Sequence, residues 1–232
     1  MRLPRPRLAA LTLLLGCVAC QPLADLGFDR RPVYISEPID GSTRGRLLNA
    51  VGEPQACKAW LATAGLSFRP VADRTEGSYC QVTGAGNLVD ATPRIDASLS
   101  PARPMMACDL AAAVAIWRRQ SVGPAARELL GSEVRQIDHL GVYACRGVGD
   151  PITGRPSAHA RAEAIDIAGF RLTNGRRITV DKDWDGQGAE AAFLRRVRDD
   201  ACRVFGVTLS PDYNAAHANH LHLEAGRGAL CS

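Results

Sequence analysis

Lysine is nearly missing from these 232 residues: Lys58 and Lys182 stand against 26 arginines, so an arginine near any candidate site carries little weight on its own. No apolar run is long enough to cross a bilayer as a helix, which takes about 20 residues; Leu8 to Leu15 falls far short. A Gly-x-Ser-x-Gly elbow is absent, which argues against a serine hydrolase. Beyond residue 20 there is no Cys-x-x-Cys, so a cysteine-bound zinc cluster is a poor reading of the remaining cysteines. No internal repeat is evident. Nor is there an excess of charge: removing the three arginines of the first seven residues from the 28 basic side chains leaves 25 against 24 acidic ones, and no nucleic-acid surface is indicated.

What is present begins with an export signal. Arg2, Arg5 and Arg7 form a positive start, Leu8 to Leu15 an apolar run, and Cys17 to Cys20 a small-residue end. Leu14-Leu15-Gly16-Cys17, or alternatively Cys17-Val18-Ala19-Cys20, resembles a bacterial lipoprotein processing site. A lipidated Cys17 or Cys20 would hold the mature chain on a membrane through acyl chains, in the periplasm or cell envelope. Residues 21 to 50 mix Pro, Arg, Asp and Gly without periodicity and read as a tether. Residues 51 to 232 are the right size for one domain. In an oxidising compartment Cys57, Cys80, Cys108, Cys145, Cys202 and Cys231 favour three disulfides. Fifteen pairings are open; closeness along the chain favours Cys57 with Cys80, Cys108 with Cys145, and Cys202 with Cys231.

Two short stretches hold four of the five histidines: Ser157-Ala158-His159-Ala160-Arg161-Ala162-Glu163-Ala164-Ile165-Asp166-Ile167, and His217-Ala218-Asn219-His220-Leu221-His222-Leu223. On one helix, His159 and Asp166 would be about 10 Å apart along the axis, too far to share a small cation held at about 2 Å. His159 is therefore expected on a loop that folds back into a strand carrying Asp166. The run Ala164 to Ile167 alternates small or acidic with β-branched residues, as a strand with one face toward a site does. His220 and His222 repeat that alternation and point to one side of a second strand. His159, Asp166 and one of the two later histidines make the three-ligand arrangement of an open zinc site, with the spare histidine beside it.

Ser-x-His-x-x-x-x-Ala-x-Asp-Ile followed by His-x-His resembles the signature of the zinc peptidases grouped with lysostaphin, D-alanyl-D-alanine carboxypeptidases and the hedgehog signalling domain. More closely, Ser157-x-His159 through Asp166-Ile167-Ala168-Gly169-Phe170, then Tyr213-Asn214-Ala215-Ala216-His217-x-Asn219-His220-x-His222-Leu223, is similar to the bacterial extensin-like C-terminal domain family. The resemblance covers roughly residues 50 to 232. Two positions depart from the wider group: Ala162 stands where glycine is usual, and Asn219 where the carboxypeptidase branch has its glutamate base. A histidine must then serve as base.

On this reading Zn²⁺ is held by His159, Asp166 and His222, His220 takes the proton or stabilises the oxyanion, and His217 is a candidate for the second of those jobs. Ser157 orients the loop by hydrogen bonding, and Glu224 reads as a residue supporting the site or lying on the surface rather than as a ligand. Arg146 and Arg155 flank the loop before His159, and either fork could take a substrate carboxylate, Arg146 foremost. His139 reads as a satisfied polar residue at a strand end. Asp181-x-Asp183-x-Asp185-Gly186 opens like a calcium-binding EF-hand loop, but its twelfth position is Ala192, so it reads as a strand-to-helix turn.

Helices are expected over Cys57 to Ala64, ended by Gly65, over Met105 to Arg119, over Pro124 to Leu130, stopped by Gly131, and over Ala189 to Phe205. Extended segments are expected at Leu66 to Val71, Val134 to Ile137, Gly141 to Cys145 and Ile178 to Val180, with Ala91 to Pro104 as loop. The fold class is α+β: an antiparallel sheet of about four to six strands carrying the ligands, with helices on one side; the resemblance implies a hedgehog/D-Ala-D-Ala-peptidase-like fold. The expected activity is hydrolysis of peptide bonds in peptidoglycan, the alternative a non-catalytic, zinc-containing envelope protein that binds cell-wall material.

Overall fold

The computed structural model describes residues 31–77, 79–90, 97–149 and 154–232. Cys17 and Cys20, the lipidation candidates, lie outside them, as does part of the loop expected over 91–104. No helix among the described residues is long and apolar enough to cross a membrane.

In chain order the elements are α1 (Thr43–Val51), α2 (Pro54–Thr63), β1 (Leu66–Pro70), β2 (Arg74–Glu76), β3 (Cys80–Val82), β4 (Gly86–Asp90), β5 (Ser98–Ser100), α3 (Cys108–Trp117), a π-helical turn (Arg118–Val122), α4 (Gly123–Leu130), β6 (Val134–Gly141), β7 (Ala164–Leu172), β8 (Arg177–Thr179), α5 (Val180–Asp183), α6 (Ala189–Ala201), β9 (Val207–Leu209), β10 (Leu221–Glu224) and β11 (Leu230–Cys231). The architecture is α+β. Its main sheet has seven strands in the order β11-β9-β10-β7-β6-β5, with β8 paired to β7. It is larger than the four to six strands expected, and it is mixed, because β5 runs parallel to β6 and β11 parallel to β9. Two antiparallel pairs, β1 with β4 and β2 with β3, lie beside it.

The core forms where α3 meets the sheet. Nine of its ten residues are buried, as a helix apolar all round must be. Trp117 at its end packs on Phe170 of β7 and on Phe205, with ring centroids 6.1 and 6.3 Å away, and its indole N–H donates to the Val197 carbonyl of α6 at 2.8 Å. Phe193 of α6 meets Phe170 edge-on at 4.9 Å. Along β7, Ile165 and Ile167 face this core while Asp166 and Ala168 face away, the period-2 pattern of the sequence. Gly169 lets β8 approach: a Cβ there would sit 2.4 Å from the Ile178 carbonyl. Gly131, at φ 62°, closes α4 where the sequence placed its stop.

Several expectations need correction. Residues 43–50 belong to α1, with Leu47 buried in the core, so this part of the segment read as a tether is folded; Trp60 donates to the Val33 carbonyl and extends the packed region to residue 33. Val134 to Gly141 is one strand through Asp138 and His139, and the residues after Gly141 are irregular. The polar pair is tolerated because Asp138 is bound by Arg171 and Arg177 while His139 Nε2 donates to the Pro101 carbonyl at 2.8 Å. Part of the expected 91–104 loop is strand β5. The helix over 105–119 is α3 continued by a π-turn, and Val180 starts a helical turn rather than ending a strand.

The disulfides are Cys57–Cys108, Cys80–Cys145 and Cys202–Cys231. Only the last has the expected partners. The first two interleave because α2 packs on α3 while β3 packs on the turn Ala158–Arg161, which is bonded to the segment after β6, contacts unrelated to order along the chain.

Candidate metal site

The site forms at the middle of the sheet, where β7 lies between β6 and β10. His222 and Asp166 are directly opposed across the β7–β10 ladder, so their side chains emerge on one face as a cross-strand pair. The partner strand β6 changes register at His139 and again before Gly141, which opposes Asp166 and covers it with no side chain.

His159 arrives from the segment before β7. Ser157 caps a 3₁₀ turn, Ala158–Arg161, its hydroxyl accepting from the His159 N–H at 3.3 Å. Ala162 then takes φ 56° and turns the chain into β7. The loop expected for His159 is therefore this tight turn, closed by an alanine in the left-handed region.

Three donor atoms converge. His159 Nε2 lies 3.2 Å from His222 Nδ1 and 3.3 Å from one Asp166 oxygen, and the other Asp166 oxygen is 2.8 Å from His222 Nδ1. A tetrahedral ion with ligands at about 2.0–2.1 Å spaces them about 3.3 Å apart, so the set is close to what Zn²⁺ requires. His159 Nδ1–H donates to the Val142 carbonyl at 2.8 Å, which leaves Nε2 with a free lone pair aimed at the site. The donors are two imidazoles and a carboxylate, a set suited to zinc and its transition-metal neighbours.

His217 and His220 are oriented in the same manner. His217 Nδ1–H donates to Asn214 at 2.7 Å, and His220 Nδ1–H to Asn219 at 2.8 Å. His220 Nε2 comes 3.5 Å from Asp166, and the ring centroids of His217 are 5.2 and 5.6 Å from those of His220 and His222. His217, His220 and His222 form a second group able to close on a cation. His220 precedes β10 rather than lying within it. Asn219 fixes the ring of His220.

Electrostatics follow from the contacts. Burial, the largest single effect on Asp166, would raise its pKa, but bonds to His159 and His222 outweigh it and hold the carboxyl well below its usual range. Burial likewise opposes protonation of His222, yet Asp166 on one nitrogen and Glu224 on the other raise its pKa to about 9. His217 goes the other way, down to about 4, through burial and the charges of His220 and His222. Burial also lowers His220 despite Asp166. The charge of Arg146 acts weakly on both His217 and His220, and its backbone carbonyl accepts from the Ser157 N–H at 3.1 Å; the charge of Arg155 acts weakly on Glu224.

The remaining candidates fall outside. Asp183 turns back to accept from the Thr179 N–H at 2.8 Å, and the acidic run Asp181 to Asp185 is not among the donor groups that converge in the described residues. The pattern of amide and carbonyl oxygens behind the histidines was not readable beforehand, although Asn214 and Asn219, each within three residues of a histidine, were its one signal.

The fold and site define an α+β domain that gathers four histidines and an aspartate on the open face of a mixed sheet. Residues 55–232 match the family described as extensin-like protein C-terminus, and the chain belongs to that family. No curated protein and no solved structure matches the chain.

Proposed function

We propose that the protein is an exported zinc-dependent peptide hydrolase acting on peptidoglycan peptides, held at a membrane by a lipidated Cys17 or Cys20. The observation that carries this reading is the approach of His159 Nε2, Asp166 and His222 Nδ1 to within 2.8–3.3 Å of one another, with the far nitrogen of His159 already committed to a carbonyl. Kinship with the lysostaphin, D-Ala-D-Ala carboxypeptidase and hedgehog group belongs to the same proposal and rests on motif spacing; the envelope substrate follows from the export signal.

When bound, Zn²⁺ supplies Lewis acidity, acidifying water and polarising a carbonyl. The chain's residues do the rest. His220, neutral because burial lowers its pKa and tied at Nδ1 to Asn219, presents a basic Nε2 to the site and takes a proton there. His217, on the exposed side with Tyr213 against its ring, is neutral with its one N–H committed to Asn214, so it can donate to a developing negative oxygen only after taking up a proton at Nε2. Arg146 adds positive charge for a carboxylate-bearing peptide.

Purified peptidoglycan treated with the zinc-loaded protein should release new muropeptides by mass spectrometry. His220→Ala should retain zinc and release none, while His159→Ala should lose both zinc and products. Stoichiometric zinc in His159→Ala would defeat the metal reading. Zinc binding with no product from any form would favour a non-catalytic wall-binding protein.

A further inference from the structure

We propose that Glu224 is a positioning residue for the metal site: its carboxylate fixes the ring of His222 from behind and sets how tightly an ion is held. This rests on the metal reading above and assigns a role to a side chain outside the donor set. His222 and Glu224 are two apart on β10, so they project from the same face of the strand. Opposite Glu224 across the ladder is Ala164, which sets only a methyl beside it. The backbone of Glu224 is held from both sides, paired with Ala164 of β7 and Val207 of β9, and its carbonyl accepts from the Gly206 N–H at 2.8 Å.

The side-chain contact has one sense. Glu224 Oε1 lies 2.9 Å from His222 Nε2, whereas Asp166 and His159 approach Nδ1, on the other side of the ring. A carboxylate at Nε2 does not share an ion held at Nδ1. It accepts the Nε2–H instead, which selects the tautomer that leaves Nδ1 its lone pair and makes that nitrogen a stronger donor. His159 achieves the same with the Val142 carbonyl; His222 uses a charged group. The longer glutamate is suited to a neighbour two residues along its own strand, where the carboxylate must reach back past one step of the pleat.

The test is zinc affinity, by competition with a chromophoric chelator, for the full mature chain and for Glu224→Ala and Glu224→Gln, with the Co²⁺ absorption spectrum recorded for each. The Ala form should bind zinc about 10- to 100-fold more weakly, with an altered Co²⁺ spectrum. The Gln form, which keeps an acceptor oxygen at Nε2, should recover most of that loss and the wild-type band shape. A merely structural role would not alter the Co²⁺ band or be rescued by Gln in this way. Wild-type affinity in Glu224→Ala, or an equal loss in both variants, would overturn the assignment while leaving the metal site standing. Failure of the wild-type chain to bind zinc at all would remove the metal reading and this assignment together.

Discussion

Ala162 is fully buried and sits at φ 56° in the turn between His159 and β7. A left-handed residue with a Cβ costs roughly 1–2 kcal/mol, and glycine would relieve it. Glycine would also forfeit a buried methyl, worth about 0.8 kcal/mol, and add about 0.5–1 kcal/mol of backbone freedom to the unfolded chain. The two sides nearly cancel, which explains how alanine persists at a left-handed position. Ala162→Gly should therefore change unfolding free energy by no more than about 1 kcal/mol by urea titration. Ala162→Val should cost more than about 2 kcal/mol, because a branched side chain is strained at this φ and overpacks the core. A neutral valine would show that the turn relaxes freely and that its shape does not position His159.

The segment after β6 is the element on which His159 depends. Val142 takes its Nδ1–H, Ala144 N–H donates to its carbonyl at 3.2 Å, and the Arg146 carbonyl accepts from Ser157. Cys145 pins this irregular stretch to β3 through Cys80, across 65 residues of sequence. Cys202–Cys231 spans 29 residues and ties the end of α6 to β11, away from these contacts. Loop-closure entropy assigns each bond about 3–4 kcal/mol, so replacing either pair with serine should lower stability by similar amounts. Only the Cys80→Ser/Cys145→Ser form should also lose zinc affinity. Equal zinc binding by both double variants would mean that the Val142 to Arg146 segment holds its shape unaided. That pairing was illegible in the sequence because cysteine spacing records nothing of which elements pack together. The same limit hid α1, whose Leu47 shows as core only once α3 is beside it, and cut β6 short at Ile137, since Asp138 and His139 look like a break until Arg171 and Arg177 are seen to pair with Asp138 and the Pro101 carbonyl to accept from one nitrogen of His139. Period and punctuation did read correctly where they act locally: Ile165 and Ile167 against Asp166, and Gly131 after α4. Residue types and the exclusion of a helix named His159, Asp166 and one of His220 and His222 together, the family resemblance singled out His222, and the fold brings these three side chains close to one another.

At the scale of the whole molecule the site couples ion, proton and stability. His222 is bound by Asp166 and Glu224, which raise its pKa from 6.5 to about 9 in the folded chain. A raised folded pKa means that the protonated ring stabilises the fold fully below pH 6.5, and that this contribution is lost as pH climbs through about 9. Chelator-treated protein should thus melt at progressively lower temperature between these limits. An incoming cation takes the place of that proton, so its apparent affinity rises with pH over the same window. Zinc at about 1,000 times its dissociation constant adds about 4 kcal/mol, which at about 2–4 °C per kcal/mol for a chain of this size raises the melting temperature by about 8–16 °C. Melting curves at pH 6.5, 7.5 and 9, with chelator and with excess zinc, should therefore diverge as pH rises, the zinc curve holding while the chelated one falls. Parallel curves would mean that the ion and the His222 proton do not compete for the same nitrogen, and the assignment of Nδ1 as the donor would have to be given up.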